Sequence, residues 1–359
     1  MHLRRLALTL APMLLTGCMV GPKYKIPTPP TAPDFKEAAN TDPNWQPAQP
    51  AAEIPKGAWW TVFQDDGLNA LEPQVEAANQ TLKAADANLR AARAAIGIES
   101  SRKFPTLGIS PSLVGERYSA QRPFFNHLNT NNGESDIQLP LQLSYEVDLW
   151  GRVRRGITEA TEESQAAAAD RQTALLALQA EVALDYFELR ASDAQQKLFN
   201  DTVAQYQEAV RVTNNRFTGG VSPKSDLTQA QTQLAAARVA AADVAIHRAQ
   251  YEHAIANLIG KAPANFTLAA NPLPLNVTPP NIPPGLPAQL LERRPDIASE
   301  ERLTAAANER IGIARSAFFP TLSLTGAAGF ETTSFSTLLT PSNFVYAVGP
   351  ALAHERAAL

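Results

Sequence analysis

The side chain best placed for covalent chemistry is Cys18, the only cysteine among 359 residues. Arg4 and Arg5 precede an apolar run from Leu6 to Leu15, and Leu15-Thr16-Gly17 leads directly into the thiol. A basic start, a short apolar core and small residues before a cut describe a secretory signal peptide over residues 1–17. The run is too short to span a bilayer as a helix. Cys18 is then expected to be the cleaved and acylated residue of a lipoprotein, carrying palmitate; the plainer alternative is a lone buried thiol. Met19 follows instead of aspartate, which removes an inner-membrane retention signal and favours the outer membrane. With no second cysteine, an intramolecular disulfide is impossible.

No other residues converge on a reaction. Of five histidines, His2 falls in the leader, His127 in a polar loop and His354 in the tail. His247 and His253 are six apart on a helix, so they face different sides and suit neither a metal nor a relay. There is no glycine-rich phosphate loop, nucleophile elbow or HExxH motif. Asp65-Asp66 is expected to precede a helix, and Glu162-Glu163 and Glu300-Glu301 to lie on solvated helix faces. Removing the leader takes away two arginines and deepens the formal net charge from −4 to near −6, which opposes nucleic-acid binding. The expectation is a protein that is no enzyme and takes no cofactor or metal.

The elements around these residues form a duplication. Ile96-Gly97-Ile98, Ser101 and Phe104-Pro105-Thr106-Leu107 recur as Ile311-Gly312-Ile313, Ser316 and Phe319-Pro320-Thr321-Leu322, all displaced by 215 positions. One structural unit is built twice. Leu68, Leu71, Val75, Ala78, Leu82, Ala85, Leu89, Ala92 and Ile96 keep a 3-4 spacing, as do positions from Leu227 to Leu258, with Arg248 the one polar member. Phe199, Val203, Tyr206, Val210, Thr213 and Phe217 continue the pattern between them. Such seams predict coiled-coil packing. Residues 151–217 as one helix would reach roughly 100 Å, against about 58 Å for 222–260 and for 66–104. Both shorter helices are therefore expected to stack end to end along the long one. Pro73 is expected to kink the first helix or shift its regular part to later residues. Arg248 is expected to pair with an acid across the hairpin or to snorkel outward.

Alternation supplies the other pattern. Ile137, Leu139, Leu141, Leu143, Tyr145, Val147 and Leu149 face one way, and Gln138, Gln142, Ser144, Glu146 and Asp148 the other. Leu107, Ile109 and Leu113 begin a partner strand; Leu322 to Phe330 alternate, and Phe344, Tyr346 and Val348 follow a loop. Strands of this kind fit a transmembrane barrel, apolar to lipid and polar to a lumen, or a soluble sheet with one wet face. Four strands cannot close a barrel, and open edges are forbidden in lipid, so a barrel must be shared between chains. The expected fold is α+β: a four-stranded share of a transmembrane β-barrel completed by other chains, with long antiparallel coiled-coil helices. Its divisions are a signal peptide, 1–17; a lipid-anchored proline-rich segment, 18–65; a first repeat, 66–262, with a β-hairpin, 105–149, and a helical hairpin, 150–261; a proline-rich linker, 263–287; and a second repeat, 288–359, of one helix and two strands.

Cys18-Met19-Val20-Gly21-Pro22-Lys23-Tyr24, Tyr145-Glu146-Val147-Asp148-Leu149-Trp150-Gly151-Arg152 and Arg293-Arg294-Pro295-Asp296-Ile297 with Phe318-Phe319-Pro320 are longer signatures. On these the chain resembles the outer-membrane factors of tripartite RND-type efflux systems, in the NodT-type lipoprotein branch of the TolC-like superfamily. The resemblance implies a homotrimer with a twelve-stranded barrel in the outer membrane, continued by a periplasmic α-barrel. It also implies a periplasmic adaptor and an inner-membrane RND-type transporter as partners, exporting drugs or small molecules. The adaptor would dock on the hairpin tip at Arg216, Gly219, Gly220, Val221, Ser222, Ser225 and Asp226. The residues themselves predict a turn: Gly219-Gly220 breaks the helix, Ser222 caps the next, Pro223 suits its first turn and Asp226 its N-terminus. The resemblance further leads one to expect a second long hairpin near 366–475. The chain is thus expected to be truncated at its C-terminus, lacking the family's gate residues and no tight duct by itself. The competing reading is a periplasmic coiled-coil lipoprotein that scaffolds the envelope.

Overall fold

The computed structural model describes residues 19–26, 57–117, 134–274, 280 and 294–354. Cys18, His2, His127, most of the first proline-rich stretch and about half of the second lie outside them. The described residues form two compact units: residues 19–26, 90–166 and 300–354 in the first, residues 57–89 and 167–299 in the second.

The first unit is built on one antiparallel sheet. Its strands are β1 (Thr106–Ile109), β2 (Ser112–Glu116), β3 (Glu134–Val147), β4 (Thr321–Thr332) and β5 (Phe344–Ala353). β1 and β2 both pair with β3, β3 with β4, and β4 with β5. Ile109 faces Leu141 and Ser112 faces Gln138, a single unbroken register. β1 and β2 are therefore one strand interrupted at Ser110-Pro111, opposite Leu139-Pro140, where neither proline offers an N–H. Gly329 pairs with Pro140, and a side chain there would run into the Leu139 carbonyl. β5 continues through Pro350 to Ala353. On an edge strand a proline costs no ladder bond.

Five helices accompany the strands: α1 (Asp66–Ala78), α2 (Gln80–Ser101), α3 (Arg152–Thr218), α4 (Lys224–Leu258) and α5 (Pro295–Ser316). α3 runs 67 residues without a proline. In the first unit its start faces α5 through charges. Arg155 and Glu309 form a buried pair at 2.6 Å, Arg302 meets Glu162 at 2.9 Å, and Arg310 binds Glu159 and Glu163. Glu162 and Glu163 are thus corrected from solvated faces to partners of arginines on the facing helix, and Glu301 to a partner of its neighbour Arg302.

In the second unit Leu68, Leu71 and Val75 of α1 pack with Val182 and Leu189 of α3 and Ile255 of α4. Each such burial stabilises by about 1.5–3 kcal/mol. Asp65 caps α1, its Oδ1 accepting from the Gly67 and Leu68 amides. The same carboxylate accepts from the Tyr186 hydroxyl at 2.7 Å and pairs with Arg190. Burial and the bond to Asp65 push the Tyr186 phenol up to about 12. Arg248 pairs with Asp193 across the hairpin at 2.6 Å, as expected, and also donates to the Leu268 carbonyl.

The helix over 66–104 is two helices, and its break is at Asn79, not Pro73. Pro73 sits inside α1. Asn79 turns extended, accepts from the Leu82 amide and donates to the Leu258 carbonyl at 2.8 Å. Its side chain starts α2 and ends α4 at once, and Gly260 (φ 70°) has room only for hydrogen against the Ala78 carbonyl.

Candidate functional site

Two features carry functional information: the faces of the sheet in the first unit and the tip of the α3–α4 hairpin in the second. Register decides the faces. Leu107, Leu143, Gly326 and Val348 form one cross-strand row; Ile109, Leu141, Ala328 and Tyr346 form the next. Leu139, Phe330 and Phe344, then Val147, Leu322 and Leu352, continue the same face. The other face carries Thr106, Ser144, Thr325 and Gly349, and Glu146, Ser323 and Ala351. A slip of one residue anywhere would mix these faces. The apolar one is not a core: Leu107, Tyr346 and Val348 are 67%, 75% and 83% exposed.

Side chains that join β3 to α3 fix the end of this sheet. Asp148 accepts from the Val153 and Arg154 amides, satisfying two of the free donors at the start of α3. Glu146 holds Arg152 in a two-point pair. Gly151 takes φ 83° to turn strand into helix. Trp150 stacks on Phe319 at 4.6 Å, and its indole N–H donates to the Pro320 carbonyl. The sequence signature Glu146 to Arg152 is thus a built corner.

At the tip, α3 ends with the Val221 amide donating to the Arg216 carbonyl and the Gly220 amide to Phe217, while Gly220 takes φ 71°. These bonds make a Schellman close. Ser222 does not cap α4, which corrects the expectation: Pro223 holds the cap position, makes no side-chain cap bond, and α4 starts at Lys224. The Ser222 hydroxyl is buried with no partner among the described residues. Asp226 does lie in the first turn, with Ser225 donating to its carboxylate. Arg216, Gly219, Gly220, Val221, Ser225 and Asp226 are brought together on an exposed surface, with Val221 71% exposed. Cys18, the remaining candidate, lies outside the described residues.

A second stripe went unread in the sequence. Leu184, Leu198 and Val212 recur every fourteen residues on α3 and stay exposed, as do Val239 and Ile246, seven apart on α4. Their common heptad position was the available signal. Among the described residues no helix is long and apolar enough to cross a membrane, and no group of acids, histidines and cysteines could hold a metal ion.

Residues 71–261, over half the chain, match the family described as outer membrane efflux protein. The chain belongs to that family. The probable efflux pump outer membrane protein TtgC of Pseudomonas putida is 33% identical over 331 residues, covering 90% of this chain and 66% of TtgC. This outer membrane efflux protein therefore spans about two thirds of that relative's length. The outer-membrane channel OprN superposes with a TM-score of 0.80 at 29% identity, over 94% of this chain and 73% of OprN. The Campylobacter jejuni CmeC outer membrane channel gives a TM-score of 0.83 at 24% identity, over 95% and 71% of the two chains, and speaks for the fold alone. The family is described by outer-membrane efflux and not by a catalysed reaction.

Proposed function

We propose that this protein is the outer-membrane channel subunit of a tripartite efflux pump, passing drugs or small molecules from periplasm to exterior. The observation that carries the reading is the register of the sheet. Every large apolar row falls on one exposed face, and the outer edges of β1–β2 and β5 have no partner among the described residues. In lipid such edges must be paired, so three copies would join edge to edge into a twelve-stranded barrel. The polar face of threonines, serines and glutamine would line its lumen. The exposed stripes on α3 and α4 would be covered by neighbouring helices of the same assembly, forming a periplasmic α-barrel. Cys18 would carry the acyl anchor in the outer membrane. The tip from Arg216 to Asp226 would receive a periplasmic adaptor linked to an inner-membrane RND-type transporter. A coiled-coil scaffold gives no reason for the apolar rows.

Outer-membrane fractionation with gel migration before and after boiling tests the reading. A heat-modifiable, trimer-sized species in the outer membrane is expected. A monomer set free once its lipid is removed would instead favour a scaffold.

A further inference from the structure

Residues 19–26 lie across the first unit as an extended strap. The Val20 amide donates to the Trp150 carbonyl at 3.0 Å, and Met19 rests against Gly151. Further along, the Pro22 carbonyl accepts from Arg155 Nη2 at 3.2 Å and from Asn308 Nδ2 at 3.3 Å. Tyr24 then donates to the Glu301 carbonyl at 3.5 Å. The strap is thus held chiefly through backbone, between the start of α3 and the outer face of α5. Two glycines let it approach. Gly21 takes φ 114°, and a Cβ there would stand 2.6 Å from the Gly312 Cα; a Cβ on Gly312 would meet the Arg155 side chain. Arg155 is itself fixed by its buried pair with Glu309.

We propose that this strap is a latch that registers the acylated N-terminus against the strand-to-helix corner, with Gly21, Gly312, Arg155 and Asn308 as its positioning residues. The inference rests on the reading of Cys18 as acylated. Cys18 is bonded to Met19, so their Cα atoms are about 3.8 Å apart. Met19 rests against Gly151, four residues past Val147 in the last apolar row of the sheet, Val147–Leu322–Leu352. The latch therefore starts the acyl chain at the level where the lipid-facing wall starts. Tied to the corner, anchor and wall enter the membrane as a single unit, and the anchor sets the depth of the sheet.

Lys23 and Lys25 are exposed on the strap and flank the docked Tyr24, so trypsin reads the latch directly. The test uses the full chain, as wild type, Gly21→Val and Asn308→Ala. Gly21→Val changes only the strap; Asn308→Ala removes one donor to Pro22 and covers the case in which the valine disturbs processing. Each is followed by tryptic release of the N-terminal peptide, palmitate labelling and yield of heat-modifiable oligomer in outer membranes. Gly21→Val is expected to speed cleavage after Lys23 and Lys25 by about 10-fold or more and to lower oligomer yield several-fold, with palmitate unchanged. Asn308→Ala should move both in the same direction by less. Faster cleavage with full oligomer yield would overturn the latch, as would unchanged cleavage in both variants. Absence of palmitate from the wild type would overturn the anchor reading itself, and wild-type tryptic protection distinguishes that failure from a failure of the latch.

Discussion

Glu72 gives the sharpest quantitative test of the second unit. It lies on the same face of α1 as Leu68, Leu71 and Val75, is 0% exposed, and neither carboxylate oxygen has a partner among the described residues. Burial alone pushes its pKa from 4.5 up to about 8. The folded state therefore keeps a proton that the unfolded chain releases above pH 4.5, so stability falls as pH rises and levels off above pH 8. One pKa unit corresponds to about 1.4 kcal/mol, so the whole window is worth on the order of 5 kcal/mol, and the step from pH 5 to pH 7 about 2.5 kcal/mol. Glu72→Gln removes the titration while keeping shape and polarity. Urea unfolding followed through Trp59 and Trp60, which belong to the same cluster, should show wild type losing about 2.5 kcal/mol more than the variant between those pH values. Asp185, which burial and the neighbouring Glu181 and Glu188 push up to about 6, titrates in both proteins and cancels in the difference. Parallel pH profiles for the two proteins would show that Glu72 is solvated, and the reasoning would fail.

Three further outcomes follow from the same geometry. Asp65→Ala removes a helix cap and leaves Arg190 buried without its carboxylate; a loss of about 3–5 kcal/mol is expected in urea unfolding. Leu141→Lys and Gln142→Lys place a charge on opposite faces of β3; the first should cost about 2–4 kcal/mol of membrane assembly and the second little, read as outer-membrane yield. Val221→Asp, at an exposed tip position, should leave the melting temperature unchanged while lowering adaptor co-purification several-fold; equal recovery would remove the tip from the docking surface.

What the sequence revealed depended on whether the cause was local. Alternation from Ile137 to Val147 gave the strand, its faces and, with the 215 offset, the match of Leu107 to Leu322 as strand starts. The heptads gave α4 nearly to its ends and the C-terminal stretch of α3 from Phe199 to Phe217. Asn79 was illegible because, beside the local cap bond from the Leu82 amide, the bond that ties the break in place goes to Leu258, 179 positions away. Pro73, the visible breaker, is tolerated inside α1, beside the Gln74 side chain donating to the Ala70 carbonyl. Ser222 looked like a cap by composition, yet Pro223 sets the helix start and the hydroxyl turns inward. Glu162 and Glu163 read as solvated because the arginines that meet them, Arg302 and Arg310, sit about 140 residues on.

The duplication itself marks the limit of reading environment from motif. Gly97 and Gly312 stand at the same place in the repeated Ile-Gly-Ile, yet a side chain on Gly97 would meet nothing within 4 Å, whereas one on Gly312 would strike Arg155. Phe104 is 68% exposed, while its counterpart Phe319 is stacked on Trp150. The repeated residues dictate the same helix end and the same strand start, because those are backbone decisions made over a few positions. What covers them is decided by the corner from Trp150 to Arg155, which follows β3 and whose Trp150 and Arg155 side chains lie against Phe319 and Gly312 of the second copy. Identical sequence thus yields a filled seat at α5 and an open one at α2, and the open one adjoins β1, at an edge of the sheet that has no partner among the described residues. Apolar exposure and unmet backbone pairing therefore coincide at one border of the first unit, where a soluble sheet would have had to bury or charge them.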